Sequence, residues 1–168
     1  MKKRCCTLLL SLLSLTCSAQ QPRHALGVHI GLLTADLEYQ CSVNENDFFD
    51  ATAGLCLPLD GVHFSATYNW DICHWGSTRA DGRAWSFWGG IGLAGGYNPG
   101  WTGLGSFWDE EGGYIGPAGN LGIKYTCAHV PMSVGLDYRP MIAGVVSYDP
   151  AILVCGLINF GLSVSVHF

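Results

Sequence analysis

Charged side chains recur at alternate positions among small polar residues, where they could form ion pairs or transfer protons. Taking an isolated charge out of water costs several kcal/mol, so charges that share one inward face of a sheet are expected to neutralise one another. We therefore predict a structural charge network; a network that gates or conducts ions is the alternative. Its predicted members are Asp36, Glu38, Asp71, Lys124, Asp137 and Arg139.

The chain also has six histidines, which raise the alternative of an enzyme that modifies membrane lipid. No candidate pair has the spacing of a nucleophile and its base. We therefore predict no catalytic residue, no enzyme activity and no cofactor, and we expect His29 and His167 to be hydrogen-bonding fillers. The candidates for the enzyme alternative are His63, Asp60, Ser147 and Asp149.

The cysteines do not form a metal-binding pattern. Those that follow the N-terminal segment are odd in number and have neither the Cys-x-x-Cys spacing nor the close histidines of a zinc site. We predict no metal and interpret most of them as small apolar fillers. A disulfide is allowed in an oxidising compartment, although the sequence does not assign the pairs. These residues are Cys41, Cys56, Cys73, Cys127 and Cys155.

The first residues have the character of a secretory signal peptide. A basic head at 2–4 precedes a leucine-rich apolar stretch and small residues that end at Ala19. The stretch is too short to span a bilayer as a helix. Cys17 raises the alternative of a lipoprotein, but the two residues before it fit a lipidation site poorly. We predict a signal peptide at 1–19 and one domain at 20–168.

The remaining chain is acidic and yet poor in charge. Without the three basic residues of the N-terminal segment, five Lys and Arg face thirteen Asp and Glu, which gives a net charge of −8. This balance disfavours nucleic acid and anionic headgroups as electrostatically attracted partners. Charged residues make up 12% of the chain, about half the usual share, yet no apolar run is long enough for a transmembrane helix.

An alternation with a period of two residues runs through most of the chain. It predicts eight antiparallel β-strands, joined by turns rich in Asn, Asp, Gly and Pro. Longer connections are predicted at 73–83, 96–117 and 141–156. The predicted strands are 26–32, 35–41, 48–57, 62–72, 84–95, 118–127, 132–139 and a last one from 157 or 158 to 168.

The alternation by itself does not say which face lies inside. A soluble barrel buries the apolar face, whereas a membrane barrel buries the polar one. Here the polar face carries Gly, Ser, Thr, Asn and a few charges of both signs, which suits a narrow lumen better than a solvated surface. We therefore predict an all-β, up-and-down transmembrane barrel whose lumen is filled by side chains and is not an open pore. A soluble lipocalin-like carrier is the alternative.

Aromatic residues of the apolar face gather at one end of the strands. If the N-terminus is periplasmic, even strands end and odd strands begin at one interface, where six of the seven apolar-face residues are aromatic. Tyr and Trp favour the headgroup level of a bilayer, so this girdle supports a membrane barrel. Its members are Tyr39, Phe49, Trp70, Trp85, Tyr125 and Phe168.

The last residues resemble the assembly signal of bacterial outer-membrane proteins, in which apolar residues precede a terminal Phe at every second position. Segments 118–125 and 134–140 are similar to short outer-membrane β-barrel domains, and residues 25–168 resemble the small eight-stranded OmpX/OmpA-type barrels. The resemblance implies location in the bacterial outer membrane, contact with its lipid and insertion by the barrel assembly machinery. The signal residues are Phe160, Leu162, Val164, Val166 and Phe168.

The predicted function is that of an outer-membrane barrel with a structural or surface-interacting role. We expect a monomer without a nucleic-acid partner. The connection at 96–117 carries aromatic residues beside acids, which is typical of a binding surface or of a loop that covers the barrel mouth or dips into headgroups. The contacts predicted there, to an extracellular ligand that the sequence does not identify, are Trp101, Phe107 and Trp108.

Overall fold

The computed structural model describes residues 23–56, 61–76, 84–99, 111–127, 129–146, 152–155 and 159–168, and all regular structure in these ranges is β-strand. These residues contain no helix long and apolar enough to cross a bilayer. The strands are β1 (His24–Gly31), β2 (Thr34–Ser42), β3 (Asp47–Cys56), β4 (Gly61–Trp75), β5 (Trp85–Pro99), β6 (Glu111–Thr126), β7 (Met132–Tyr138), β8 (Met141–Val146), β9 (Ile152–Cys155) and β10 (Phe160–His167).

The strands form one antiparallel sheet that closes on itself. β1 to β6 pair in chain order, and β1 also pairs with β10. β7 and β8 both pair with β6, and they form one strand that is interrupted at Arg139 and Pro140. Pro140 has no N–H to donate to the sheet, which explains the interruption. β10 pairs with β7 and β9 pairs with β8, so β9 and β10 lie in line along the same neighbouring strand. The eight-stranded barrel predicted from the sequence is confirmed.

The barrel closes between its first and last strands. β1 and β10 pair from Ala25 opposite His167 to Gly31 opposite Gly161. Beyond this register, the Phe168 N–H donates to the His24 carbonyl at 2.8 Å. Backbone groups are thus paired along the seam, as a lipid environment requires. We call the end with His24, the turn at 43–46 and Phe168 the lower rim, and the opposite end the upper rim.

Several strands are longer than the sequence predicts. The connections expected at 96–117 and 141–156 are partly strand, because β5 and β6 extend into the first, and β8 and β9 lie within the second. Runs such as 95–96 and 112–113 are Gly-Gly and carry no polarity signal, so the alternation is not visible there. β4 likewise continues to Trp75, beyond a bulge between Asp71 and Cys73 that shifts the period by one residue.

The apolar face of the strands points outward. Leu136 is 59% exposed, whereas its neighbours at the alternate positions, Gly135 and Asp137, are buried. Along β10 the same alternation leaves Ser163 and Ser165 buried and Leu162 exposed. The barrel therefore buries its polar face, which is the orientation of a membrane barrel and the reverse of that needed by a lipocalin-like carrier.

This orientation makes a charge on the outer wall costly. We expect Leu136→Arg to lower the free energy of unfolding in lipid vesicles by about 2–4 kcal/mol, as for a cation near the bilayer midplane. Urea titration of the reconstituted barrel, followed by tryptophan fluorescence, measures the change. The matched control is Val130→Arg, since Val130 is an exposed apolar residue in the turn before β7. Equal and small effects at both positions would contradict a lipid-facing wall.

Candidate functional site

The barrel interior holds a compact group of ionisable side chains. β1, β2, β3 and β7 each supply inward-facing members, because every second residue of a strand points into the lumen. All but the arginine are nearly inaccessible to solvent, with exposed fractions from 0% to 5%. We call this group the lumen cluster; it consists of His29, Asp36, Glu38, Asp50, Asp137 and Arg139.

Arg139 links three carboxylates from different strands. Its Nη2 donates to Glu38 Oε1 at 2.9 Å and to Asp137 Oδ2 at 3.1 Å. The same nitrogen lies 3.6 Å from Asp50 Oδ2. A guanidinium keeps its charge under all physiological conditions and carries several donors in fixed directions. Arg139 is therefore a permanent cation that holds β2, β3 and β7 together across the lumen.

His29 contacts two carboxylates of the lumen cluster. Its Nε2 lies 2.8 Å from Asp137 Oδ1, and its Nδ1 lies 3.3 Å from Asp36 Oδ2. An imidazolium satisfies both contacts, since only the protonated ring donates from both nitrogens. Thr34 Oγ1 donates to the same Asp36 oxygen at 2.6 Å. Gly161 in β10 faces the ring so closely that an added Cβ would collide with His29 Nε2, so this position has to be glycine.

The lumen cluster contains more acid than base. Its four carboxylates face one guanidinium and one imidazole, so negative charge is in excess even when His29 is protonated. One buried oxygen of each of Asp36, Glu38 and Asp50 has no hydrogen-bond partner among the described residues. Leaving a buried charge without its counter-ion is strongly destabilising. The stability of the lumen cluster therefore depends on Arg139 more than on any single acid.

A second layer of inward side chains lies between the lumen cluster and the lower rim. Phe48 and Trp88 are 5% and 2% exposed, and their rings meet edge to face at 6.2 Å. Lys124 Nζ lies 4.4 Å from the centre of the Phe48 ring and 5.5 Å from that of Trp88, which is cation–π geometry. Gly122 leaves room for the indole, since an added Cβ would lie 2.6 Å from Trp88 Cη2. We call Phe48, Trp88 and Lys124 the aromatic layer.

The predicted charge network is only partly brought together. Asp36, Glu38, Asp137 and Arg139 belong to the lumen cluster. Lys124 instead contacts aromatic rings, and Asp71 lies near the lower rim, 3.9 Å from His74 Nε2. His29 and Asp50 take part although the sequence placed them only on the inward face. Alternation predicts the face of each residue, but the contacts across the lumen depend on the stagger between strands, which has no local signal.

The predicted girdle residues all lie on the outer surface. Their exposed fractions run from 37% for Tyr125 to 50% for Phe168. Trp85 contacts Tyr125 with ring centres 4.9 Å apart. Trp75 stacks on the other side of Trp85 at 6.3 Å, with the two rings 5° from parallel. Trp75 was missed from the sequence because the bulge in β4 hides its register. The remaining members Tyr39, Phe49 and Trp70 are exposed as well.

The C-terminal residues that resemble an assembly signal form the outward face of β10 and the residue after it. Phe160, Leu162 and Phe168 are exposed, and Val164 and Val166 are half-buried. Phe160 stacks on Tyr138 of β7 with ring centres 4.7 Å apart. This row of side chains therefore lies on the outer side of the seam strand.

The upper part of the lumen contains the histidine of the enzyme alternative. His63 Nδ1 lies 3.0 Å from the Tyr114 hydroxyl, which lies 3.7 Å from Cys56 Sγ. The tyrosine hydroxyl thus separates the thiol from the imidazole. The other candidates of that alternative and the predicted surface contacts lie outside the described residues; they are Asp60, Ser147, Asp149, Trp101, Phe107 and Trp108.

The thiols and metal ligands of the described residues form no centre. Cys41, Cys56, Cys73 and Cys127 are free thiols. The side chain of Cys155 lies outside what the structure describes. Within the described ranges, no group of three or more histidine, cysteine or carboxylate side chains is arranged so that it could hold a metal ion.

Removal of Arg139 tests the charge balance of the lumen cluster. We expect Arg139→Met to lower the free energy of unfolding by about 3–5 kcal/mol, because buried carboxylates lose their counter-ion. Combining it with Glu38→Gln should recover part of this loss, with a coupling energy of about 1–3 kcal/mol. Urea titration of the four proteins of this cycle in lipid vesicles measures both values.

The matched control removes a second cation of the lumen, Lys124. Lys124 contacts aromatic rings rather than carboxylates, so Lys124→Met should cost about 1 kcal/mol, the size of a cation–π contact. Similar losses for the arginine and the lysine variants would show that Arg139 has no special role.

Comparison with known proteins finds a solved structure with a similar fold. No family model and no curated protein matches the chain. Among solved structures, the chain is similar to the N-terminal β-barrel domain of OprF from Pseudomonas aeruginosa. The TM-score is 0.54 at 13% sequence identity, and the match covers 89% of this chain and 100% of that one. At this identity the likeness concerns the fold alone. The chain has a closed eight-stranded antiparallel β-barrel, the fold that it shares with this domain.

Proposed function

We propose that this protein is an integral barrel of the bacterial outer membrane, with a structural or surface-interacting role and without a catalytic one. The observation that supports this most directly is the reversal of ordinary burial. Ile91 and Leu37 are 66% and 64% exposed, whereas Glu38 and Asp50 are 1% and 2% exposed. Water disfavours a large apolar surface of this kind, but lipid solvates it.

We place the lower rim of the barrel in the periplasm. The turn at 43–46 is short and polar, as periplasmic turns of such barrels are. Asn44 Oδ1 accepts hydrogen bonds from the N–H groups of Asn46 and Asp47 at 2.9 and 2.8 Å. The aromatic girdle lies at the same end and suits the inner headgroup level. The proposed partners are outer-membrane lipid and the assembly machinery that would insert β10, and the proposed state is a monomer.

The lumen is proposed to be closed by the protein's own side chains. The interior of an eight-stranded barrel is just wide enough for side chains to fill. Here the lumen cluster and the aromatic layer lie one above the other across it. A cavity of about 60 Å³ at the lower rim is bounded by Phe48 and Lys124, and a cavity of this size suits a few water molecules. This arrangement supports a barrel that does not conduct ions.

Cell fractionation tests the location. The protein is expected in the outer-membrane fraction, to need detergent for extraction, and to migrate differently on a gel before and after boiling. A protein that is released into the periplasmic fraction without detergent, and whose migration does not change on boiling, would overturn the proposal.

Planar bilayer recordings test the closed lumen. We expect no conductance steps from the wild-type barrel. Phe48→Ala combined with Trp88→Ala removes two ring systems and leaves only the polar lumen cluster across the lumen, through which we expect ions to pass in discrete steps. The matched control is Trp85→Ala, which removes a ring from the outer surface and should leave the recording silent. Steps of equal size from wild type and the double variant would contradict closure by the aromatic layer.

A further inference from the structure

The hairpin between β1 and β2 turns at the upper rim through two leucines. Leu32 is 60% exposed and Leu33 is half-buried. Ile30 and Leu37, on the strands just below, are 63% and 64% exposed. Two-residue hairpin turns normally use Asn, Asp or Gly, which tolerate the required backbone angles and are well solvated by water. Two leucines at such a turn indicate surroundings that are not aqueous.

The turn at the other end of β2 has the opposite chemistry. Residues 43–46 are all exposed, and three of the four are Asn or Glu. Asn44 Nδ2 donates to the Asp47 carboxylate at 2.6 Å, in addition to its contacts with the turn backbone. A single strand thus joins a turn suited to water with a turn suited to hydrocarbon.

The length of β1 places the leucine turn at a definite height. β1 has eight residues, whereas β5 has fifteen and β6 has sixteen. At a rise of about 3.3 Å per residue and a tilt of about 40°, β1 climbs about 20 Å and the longer strands climb about 40 Å. The apolar band of such a barrel is about 25 Å tall. With its lower end at the girdle, the β1–β2 hairpin stops about 5 Å short of the opposite boundary.

No described strand continues the wall directly above the hairpin. The pairing of β1 with β10 ends at Gly31 opposite Gly161. Leu32 N–H still donates to the Phe160 carbonyl at 2.9 Å, so the tip is tied to the start of β10. In the part of the chain that the structure describes, β9 pairs only with β8. Among the strands that the structure describes, the upper rim is therefore lowest at the β1–β2 hairpin.

We propose that the β1–β2 hairpin is immersed in the outer leaflet, where the acyl chains of membrane lipid cover Leu32 and Leu33. This inference rests on the membrane insertion and the orientation proposed above. A wall shorter than the hydrocarbon thickness is accommodated by local thinning of the bilayer. The leaflet is then thinner beside β1 and β2 than beside β5 and β6, and lipid comes next to the buried Thr34, which begins β2 just behind the tip.

A fluorescent probe at the tip measures its depth. Leu33→Cys is made in a chain whose five other cysteines after residue 19 are replaced by serine, and is labelled with a nitrobenzoxadiazole thiol reagent. The labelled barrel is reconstituted into phosphatidylcholine vesicles with doxyl groups on the acyl chains, or exposed to aqueous iodide. Matched probes are attached to cysteines that replace Val130, in the lower-rim turn before β7, and Leu136, on the outer wall. Quenching by doxyl lipid at position 33 should exceed that at position 130 by about threefold or more and approach that at position 136.

The outcomes separate the two proposals. Iodide quenching at position 33 equal to that at position 130, with lipid quenching retained at position 136, overturns the immersed hairpin and leaves the membrane barrel intact. Iodide quenching at all three positions overturns the membrane barrel itself.

A second variant keeps the native cysteines in case the serine background does not fold. Leu33→Lys should shift the unfolding equilibrium in vesicles about tenfold towards the unfolded state, since a cation below the headgroups is costly. Val130→Lys in the aqueous turn should leave the equilibrium unchanged. An unchanged equilibrium in Leu33→Lys overturns the inference.

Discussion

The pairing of β1 with β10 is the interaction on which the rest of the structure depends. A sheet with open edges would expose backbone N–H and C=O groups, each of which costs several kcal/mol in hydrocarbon. Closure removes both edges, from the Phe168–His24 bonds at the lower rim to Leu32 at the upper one. It also sets the stagger of all strands, because a closed sheet has one register around its circumference. That stagger decides which inward side chains meet across the lumen.

The lumen combines residues of very different size. Glycines such as Gly122 and Gly161 lie directly against Trp88 and His29, so the large groups occupy space that small neighbours leave. Arg139 lies where the strand formed by β7 and β8 is interrupted, and its backbone N–H donates to the Asn159 carbonyl at 2.8 Å. This bond joins the interrupted strand to the residue before β10, at the height where the guanidinium enters the lumen. The interruption between β7 and β8 and the position of the Arg139 guanidinium are therefore linked.

The outer surface differs between the two rims in chemistry and in height. The lower rim has a polar turn at 43–46 and outward aromatic side chains, where Trp85 contacts both Trp75 and Tyr125. The upper rim is uneven, with long β5 and β6 opposite the short β1 and its leucine turn. In the membrane location proposed above, a bilayer of constant thickness would not match both sides of the barrel equally.

The sequence alone determined the strand number, the closed barrel class and the inward face, because a two-residue period is a local property that each segment carries by itself. It could not show the upper parts of β5 and β6, where glycines hide the alternation, nor β8 and β9, nor Trp75, which follows a bulge. Only the tertiary structure decided that Arg139 meets Glu38, Asp50 and Asp137, that His29 meets Asp36, and that Lys124 lies over Phe48. Those contacts join strands far apart in the chain, and they depend on the stagger that closure imposes rather than on any neighbouring residue.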